Sequence, residues 1–107
     1  MNTIDDLYEK CAGLPRYMHE GICEYVENGR PVGGFLQAVI SNDLKEACTH
    51  ADDVNRHLLF EYMEFFYNYA PRACTGSPEA YQAWVTQGGR QGHIKRMKDN
   101  ELATTGK

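Results

Sequence analysis

Residues 58–70 constrain the fold more than any other segment, because almost every position in them is apolar or aromatic. The strongly polar exceptions are Glu61, Glu64 and Asn68, which are three and four positions apart and share one narrow stripe of a helix. A helix at the surface of a monomer needs an apolar face over only about a third to a half of its circumference. We therefore predict a central, aromatic-rich helix over about 53–70.

The excess aromatic surface of this helix has two explanations. Either the other helices wrap around it, or its excess face meets another copy of the chain. Few helices are available in 107 residues, so we predict that both occur and that the protein is a homo-oligomer. The predicted interface residues are Phe60, Phe65, Tyr67 and Tyr69.

Helix start and stop signals divide the rest of the chain. Pro15 at a first helical position and the stop signal at 28–29 predict one helix. The apolar run at 35–40 fits a short helix better than a strand, because its polar neighbours recur with the helical period. The sequence therefore predicts an all-α fold, a compact bundle of four to five helices, with a single domain at 1–89.

Two capping signals support this assignment. Asp43 with Glu46 resembles a capping box, and Ser77 followed by Pro78 is a typical helix start. Gly88 and Gly89 end that last helix. Residues 90–107 lack apolar periodicity, so we predict a basic and flexible tail there, although a partly helical segment that docks through its apolar residues remains open.

Charge is unevenly distributed along the chain. The net charge is −4, but residues 1–89 carry six Lys and Arg against thirteen Asp and Glu, whereas the tail carries five against two. An acidic body disfavours broad binding to the phosphate backbone of nucleic acid, so a nucleic-acid role would have to use the tail. Glu20, Glu24 and Glu27 form a candidate acidic surface for a protein partner.

Cysteine and histidine spacing gives no strong metal or catalytic motif. Four cysteines occur without a CxxC pair, and they are expected to be reduced, buried thiols. His50, Asp53 and His57 would share a helical face only if no break occurs near residue 51. We therefore predict no metal, no cofactor and no catalytic residues.

Two glycine-containing helix starts lie near arginines. Gly33 and Gly34 follow Arg30, and Ser77 follows Arg72. Backbone N–H groups at such starts bind phosphate in other proteins, so these five residues form a candidate anion site. No P-loop or dinucleotide fingerprint is present, and a purely structural role for the glycines is the alternative.

Residues 14–89 resemble a family of small phage and prophage proteins. The similarity lies in LPRYMHEG, YVENGRPVGGFLQAVISNDLKEA, ADDVNRHLLFEYMEFFYNYAP and GSPEAYQAW with a closing GG. The resemblance implies a phage accessory protein in a bacterial cytoplasm, of the kind that often serves host takeover or anti-defence. An N-terminus without a signal peptide and the lack of a long apolar run also predict a cytoplasmic protein and no membrane contact.

The sequence therefore favours a non-enzymatic protein that acts by binding. In one form it inhibits a host protein through its acidic surface. In a second form the oligomer sequesters a small anionic nucleotide at the candidate anion site. A nucleic-acid accessory factor that uses the basic tail is a further alternative, and a small enzyme is the least favoured.

Overall fold

The computed structural model describes Leu7 and residues 9–105, with side chains described as far as residue 98. This part of the chain is all-α and contains no strand, as predicted. Three 3-10 turns, at Cys11–Gly13, Asn55–His57 and Arg72–Cys74, lie between the helices. The α-helices are α1 (Arg16–Asn28), α2 (Gly34–Ile40), α3 (Leu44–His50), α4 (Leu59–Asn68), α5 (Pro78–Gln87) and α6 (Gly89–Thr105).

The predicted capping signals act where the sequence places them. The Asp43 carboxylate accepts the backbone N–H of Glu46 at the start of α3, and the Ser77 hydroxyl accepts that of Ala80 at the start of α5. Each contact satisfies one N–H that the first helical turn leaves without a partner. Asn42, between α2 and α3, adopts the left-handed conformation that asparagine tolerates better than most residues.

Helix α1 supplies the centre of the core. Tyr25 is fully buried, and its hydroxyl donates a 2.6 Å hydrogen bond to the carbonyl of Cys74. The indole N–H of Trp84 on α5 donates to the carbonyls of Tyr25 and Val26, at 3.0 and 3.2 Å. Aromatic polar groups that are buried need such partners. These bonds fasten α5 and the turn before it to α1.

Helix α4 differs from the prediction in length and position. The chain forms a separate turn at Asn55–His57, because Asp52 accepts the backbone N–H of Asn55 at 2.7 Å and so starts this turn. The α-helix therefore covers Leu59–Asn68 instead of about 53–70. Phe60 and Tyr67 are 72% and 85% exposed, so other helices cover only one side of α4.

The segment from residue 90 also differs from its prediction. It was predicted as a flexible tail, but a helix extends from Gly89 to Thr105. This helix packs against α1 and α5. Its start is fixed by polar contacts, since Arg90 and Gln91 both donate to the buried carboxylate of Glu27. Apolar periodicity, the usual signal for a packed helix, cannot reveal an attachment of this kind.

Candidate protein-binding surface

Three exposed apolar residues form one side of α4, which we call the α4 ridge: Phe60, Met63 and Tyr67. Their spacing of three and four positions puts them on a single helical face. Met63 is 42% exposed, less than the two aromatic residues. Exposed apolar groups that are contiguous are typical of protein interaction sites, whereas scattered ones are ordinary.

The opposite side of α4 is buried. Tyr62, Phe65 and Phe66 belong to the core, and the rings of Phe65 and Phe66 meet edge to face with centroids 5.2 Å apart. Phe65 is only 3% exposed, so its assignment to an oligomer interface is wrong for the chain as folded here. The helical period explains this, because position 65 lies well over 90° around the helix from Phe60.

An apolar cleft of about 210 Å³ continues the α4 ridge toward α3. Its apolar lining residues come from three helices: Val39 of α2, Leu44 and Ala47 of α3, and Leu59 and Met63 of α4. Leu44 is 68% exposed. Neither Met63 nor Leu44 is among the interface residues that the sequence predicts. The i, i+3, i+7 pattern would have identified Met63, whereas the position of Leu44 at the cleft depends on tertiary structure.

Acidic residues border this surface. Glu61 and Glu64 lie beside the ridge on α4, and Asp43 lines the cleft at the start of α3. Glu64 and Asp43 are exposed, and Glu61 is half-buried. An apolar centre with a charged border is the usual composition of a protein interface. The negative charge of this border favours a partner whose own contact surface is basic.

Tyr69, the remaining predicted interface residue, lies at the end of α4. It is 47% exposed, and its ring is tilted against that of Phe65 at 6.0 Å. The ammonium group of Lys10 lies 5.2 Å from the ring centroid, which is within the range of a cation–π contact. Tyr69 therefore already has partners within the chain, away from the ridge.

Two of the three residues of the predicted acidic surface on α1 already bind other side chains of the chain. Glu27 is 4% exposed and bound to Arg90 and Gln91, so it cannot belong to an exposed partner surface. Glu24 accepts from Asn28 and Arg30, both at 3.0 Å. The Asn28 amide, with Arg30 beside it, holds the pKa of Glu24 below its usual value. Glu20 is the exposed member of the three.

The residues of the predicted anion site have separate roles in the fold. Arg30 pairs with Glu24, and the Ser77 hydroxyl caps α5. Gly33 and Gly34 line an open groove of about 440 Å³, and Arg72 is exposed in the turn after α4. The helix that begins at Gly34 has only seven residues. Arg30 is thus engaged with a carboxylate, and anion binding by these five residues stays a prediction.

The groove beside Gly33 and Gly34 contains a short polar network. The Tyr17 hydroxyl donates to Asp52 at 2.7 Å, and the Tyr62 hydroxyl donates to buried Asn55 at 2.6 Å. The backbone N–H of Asn55, followed by Tyr17, lowers the pKa of Asp52, while the bond to Asp52 raises the pKa of Tyr17. The first bond attaches the segment after α3 to α1, and the second attaches it to α4. An ionised Asp52 in the groove disfavours an anionic ligand.

The helical face that would join His50, Asp53 and His57 does not form, because the helix is interrupted near residue 51. Helix α3 ends at His50 and the chain is extended at Ala51, so His50, Asp53 and His57 do not share one helix. No group of three His, Cys, Asp or Glu residues suited to a metal occurs in the described part of the chain. All four cysteines are free, and Cys48 is exposed rather than buried as predicted. Burial raises the pKa of the Cys74 thiol to about 12.

Comparison with protein-family models, with curated protein sequences and with solved structures finds no match to this chain. Within residues 9–105, no helix is long and apolar enough to cross a membrane.

Proposed function

We propose that this protein is a non-enzymatic binding protein whose contact surface is the α4 ridge together with the adjoining cleft. The single observation that supports the proposal is the exposure of Phe60 and Tyr67 on one helical face. Removing an apolar side chain of this size from water contributes about 1.5–3 kcal/mol. Exposed aromatic anchors beside a preformed cleft are the kind of groups that contribute most of the binding energy at interfaces.

The chemistry of the surface defines the partner. The cleft accepts one or two apolar side chains, and the border formed by Asp43, Glu61 and Glu64 favours basic groups around them. The partner is therefore a protein with an apolar contact residue flanked by Lys or Arg. Charge complementarity of this kind raises the association rate more than the affinity, so the rate should fall as salt is added.

The resemblance to phage and prophage proteins adds the context of the proposal. In that context the partner is a bacterial host protein, and covering its basic apolar surface inhibits it. This differs from the inhibition expected from sequence, which used Glu20, Glu24 and Glu27. The contact surface moves to α4 because Glu27 is buried and Glu24 already has partners.

The test compares two variants in binding to a host protein that is captured, purified and titrated against the wild type. Phe60→Ser with Tyr67→Ser removes the aromatic part of the ridge. Val54→Ser is the matched control, because Val54 is 53% exposed but outside the ridge and the cleft lining. We expect the ridge variant to bind at least about tenfold more weakly and the control to bind as the wild type does. Equal affinities for all three proteins would exclude the α4 surface.

A further inference from the structure

We infer that, in the protein alone, the α4 ridge is covered by helix α6 of a second copy of this chain. The inference rests on the proposed function, because it assigns a partner to the same surface. It predicts self-association by a contact between two different surfaces, α4 of one copy and α6 of the other. Such a contact is heterologous, unlike a contact between the α4 ridges of two copies.

Helix α6 has the chemistry that the ridge requires. Ile94 and Met97 are 39% and 58% exposed, and they share a helical face because they are three positions apart. Lys95 and Lys98 are exposed beside them. The exposed part of α6 is thus apolar with a basic border, which complements the apolar ridge with its acidic border.

Within one chain, the two surfaces belong to different parts of the bundle. Helix α6 packs against α1 and α5, whereas α4 packs against α2 and the turn at Asn55–His57. Helix α6 begins on the body at Arg90, which is bound to Glu27, and every described residue from His93 to Lys98 is exposed. A second copy can therefore present Ile94 and Met97 to the ridge while its own α6 stays attached at Arg90.

Charge disfavours the alternative of two α4 ridges in contact. That arrangement would bring Glu61 and Glu64 of both copies to one interface, and like charges repel most where water is excluded. Contact with α6 replaces this repulsion by attraction to Lys95 and Lys98. Added salt should weaken the association, because it screens the charges at the border of the contact.

Mixing two variants tests the heterologous contact directly. The ridge variant carries Phe60→Ser and Tyr67→Ser, and the α6 variant carries Ile94→Ser and Met97→Ser. Each variant alone lacks one half of every contact, so each is expected to be a monomer of 12.2 kDa. In the mixture, intact α6 of the first variant meets the intact ridge of the second, and a one-to-one complex of twice that mass is expected.

Sedimentation equilibrium on the wild type, each variant and the mixture gives the result. The wild type should associate, and each variant should weaken association at least about tenfold. A monomeric wild type overturns the inference, as does an α6 variant that associates like the wild type or a mixture that stays monomeric. A monomeric wild type whose ridge still binds the purified host protein leaves the proposed function intact, so the two failures are distinguishable. Circular dichroism confirms that each variant is folded.

Discussion

Gly29 and Gly89 lie against each other where α1 ends and α6 begins. A Cβ built on Gly29 would lie 2.5 Å from the backbone nitrogen of Gly89 and 2.8 Å from the carbonyl oxygen of Trp84. Both glycines have φ of +70°, a conformation that disfavours any residue with a side chain. The close approach of two backbones therefore sets where α6 leaves the body.

Gly89→Ala should destabilise the protein by about 2–4 kcal/mol, because the methyl group meets backbone atoms and the left-handed conformation adds strain. Urea unfolding measures this loss. Gly33→Ala is the matched control, since a Cβ at Gly33 has no atom within 4 Å and its backbone is extended. Equal stability of the two variants would contradict the close approach at residue 89.

Arg90→Ala should lower the free energy of unfolding by about 3 kcal/mol. The change leaves the Glu27 carboxylate buried with Gln91 as its remaining side-chain partner. Arg30→Ala is the control, since its pair with Glu24 is exposed and such pairs contribute little. Chemical denaturation of both variants checks this. If Arg90→Ala is no less stable than Arg30→Ala, the Glu27 contact does not hold α6 to the body.

Tyr62→Phe should destabilise the protein by about 1–3 kcal/mol. The change removes the hydroxyl that donates to Asn55 and leaves the buried amide oxygen without that bond. Tyr67→Phe removes an exposed hydroxyl on the same helix and should leave stability unchanged. Thermal unfolding of the two variants checks this. If both lose the same stability, the loss comes from removing any tyrosine hydroxyl on α4 and not from the buried bond to Asn55.

Thiol reactivity should separate Cys48 from the other cysteines. A thiol reagent near pH 8 should modify Cys48 rapidly and leave Cys11, Cys23 and Cys74 protected, because these three are buried. The raised pKa of Cys74 also keeps it as the unreactive thiol at this pH. Mass spectrometry should find one rapid modification in the native protein and four after denaturation, and Cys48→Ser should remove the rapid one.

The α4 ridge should contribute little to stability. Phe60→Ser changes a side chain that is 72% exposed and should alter the free energy of unfolding by less than about 0.5 kcal/mol. Phe66→Ala, on the buried side of the same helix, should lower the free energy of unfolding by about 3–5 kcal/mol. A large loss for Phe60→Ser would mean that the ridge is part of the core and is not free for a partner.

Part of the candidate surface follows from the sequence. The polar stripe of Glu61 and Glu64 indicates that α4 has more apolar area than one face needs, and Phe60 and Tyr67 are indeed exposed. Whether they meet another copy stays a prediction. Phe65 was misplaced because the aromatic residues were considered as one group, although the helical period separates it from Phe60.

The sequence by itself determined the helical class and several helix ends. Asp43, Ser77 and Gly88 act through backbone groups a few positions away, so their effect can be predicted without knowing the fold. Only the tertiary structure decided that buried Glu27 pairs with Arg90 and that Leu44 and Met63 line the same cleft. Burial of a side chain depends on which distant helix covers it, and that information lies in packing between segments far apart in the chain.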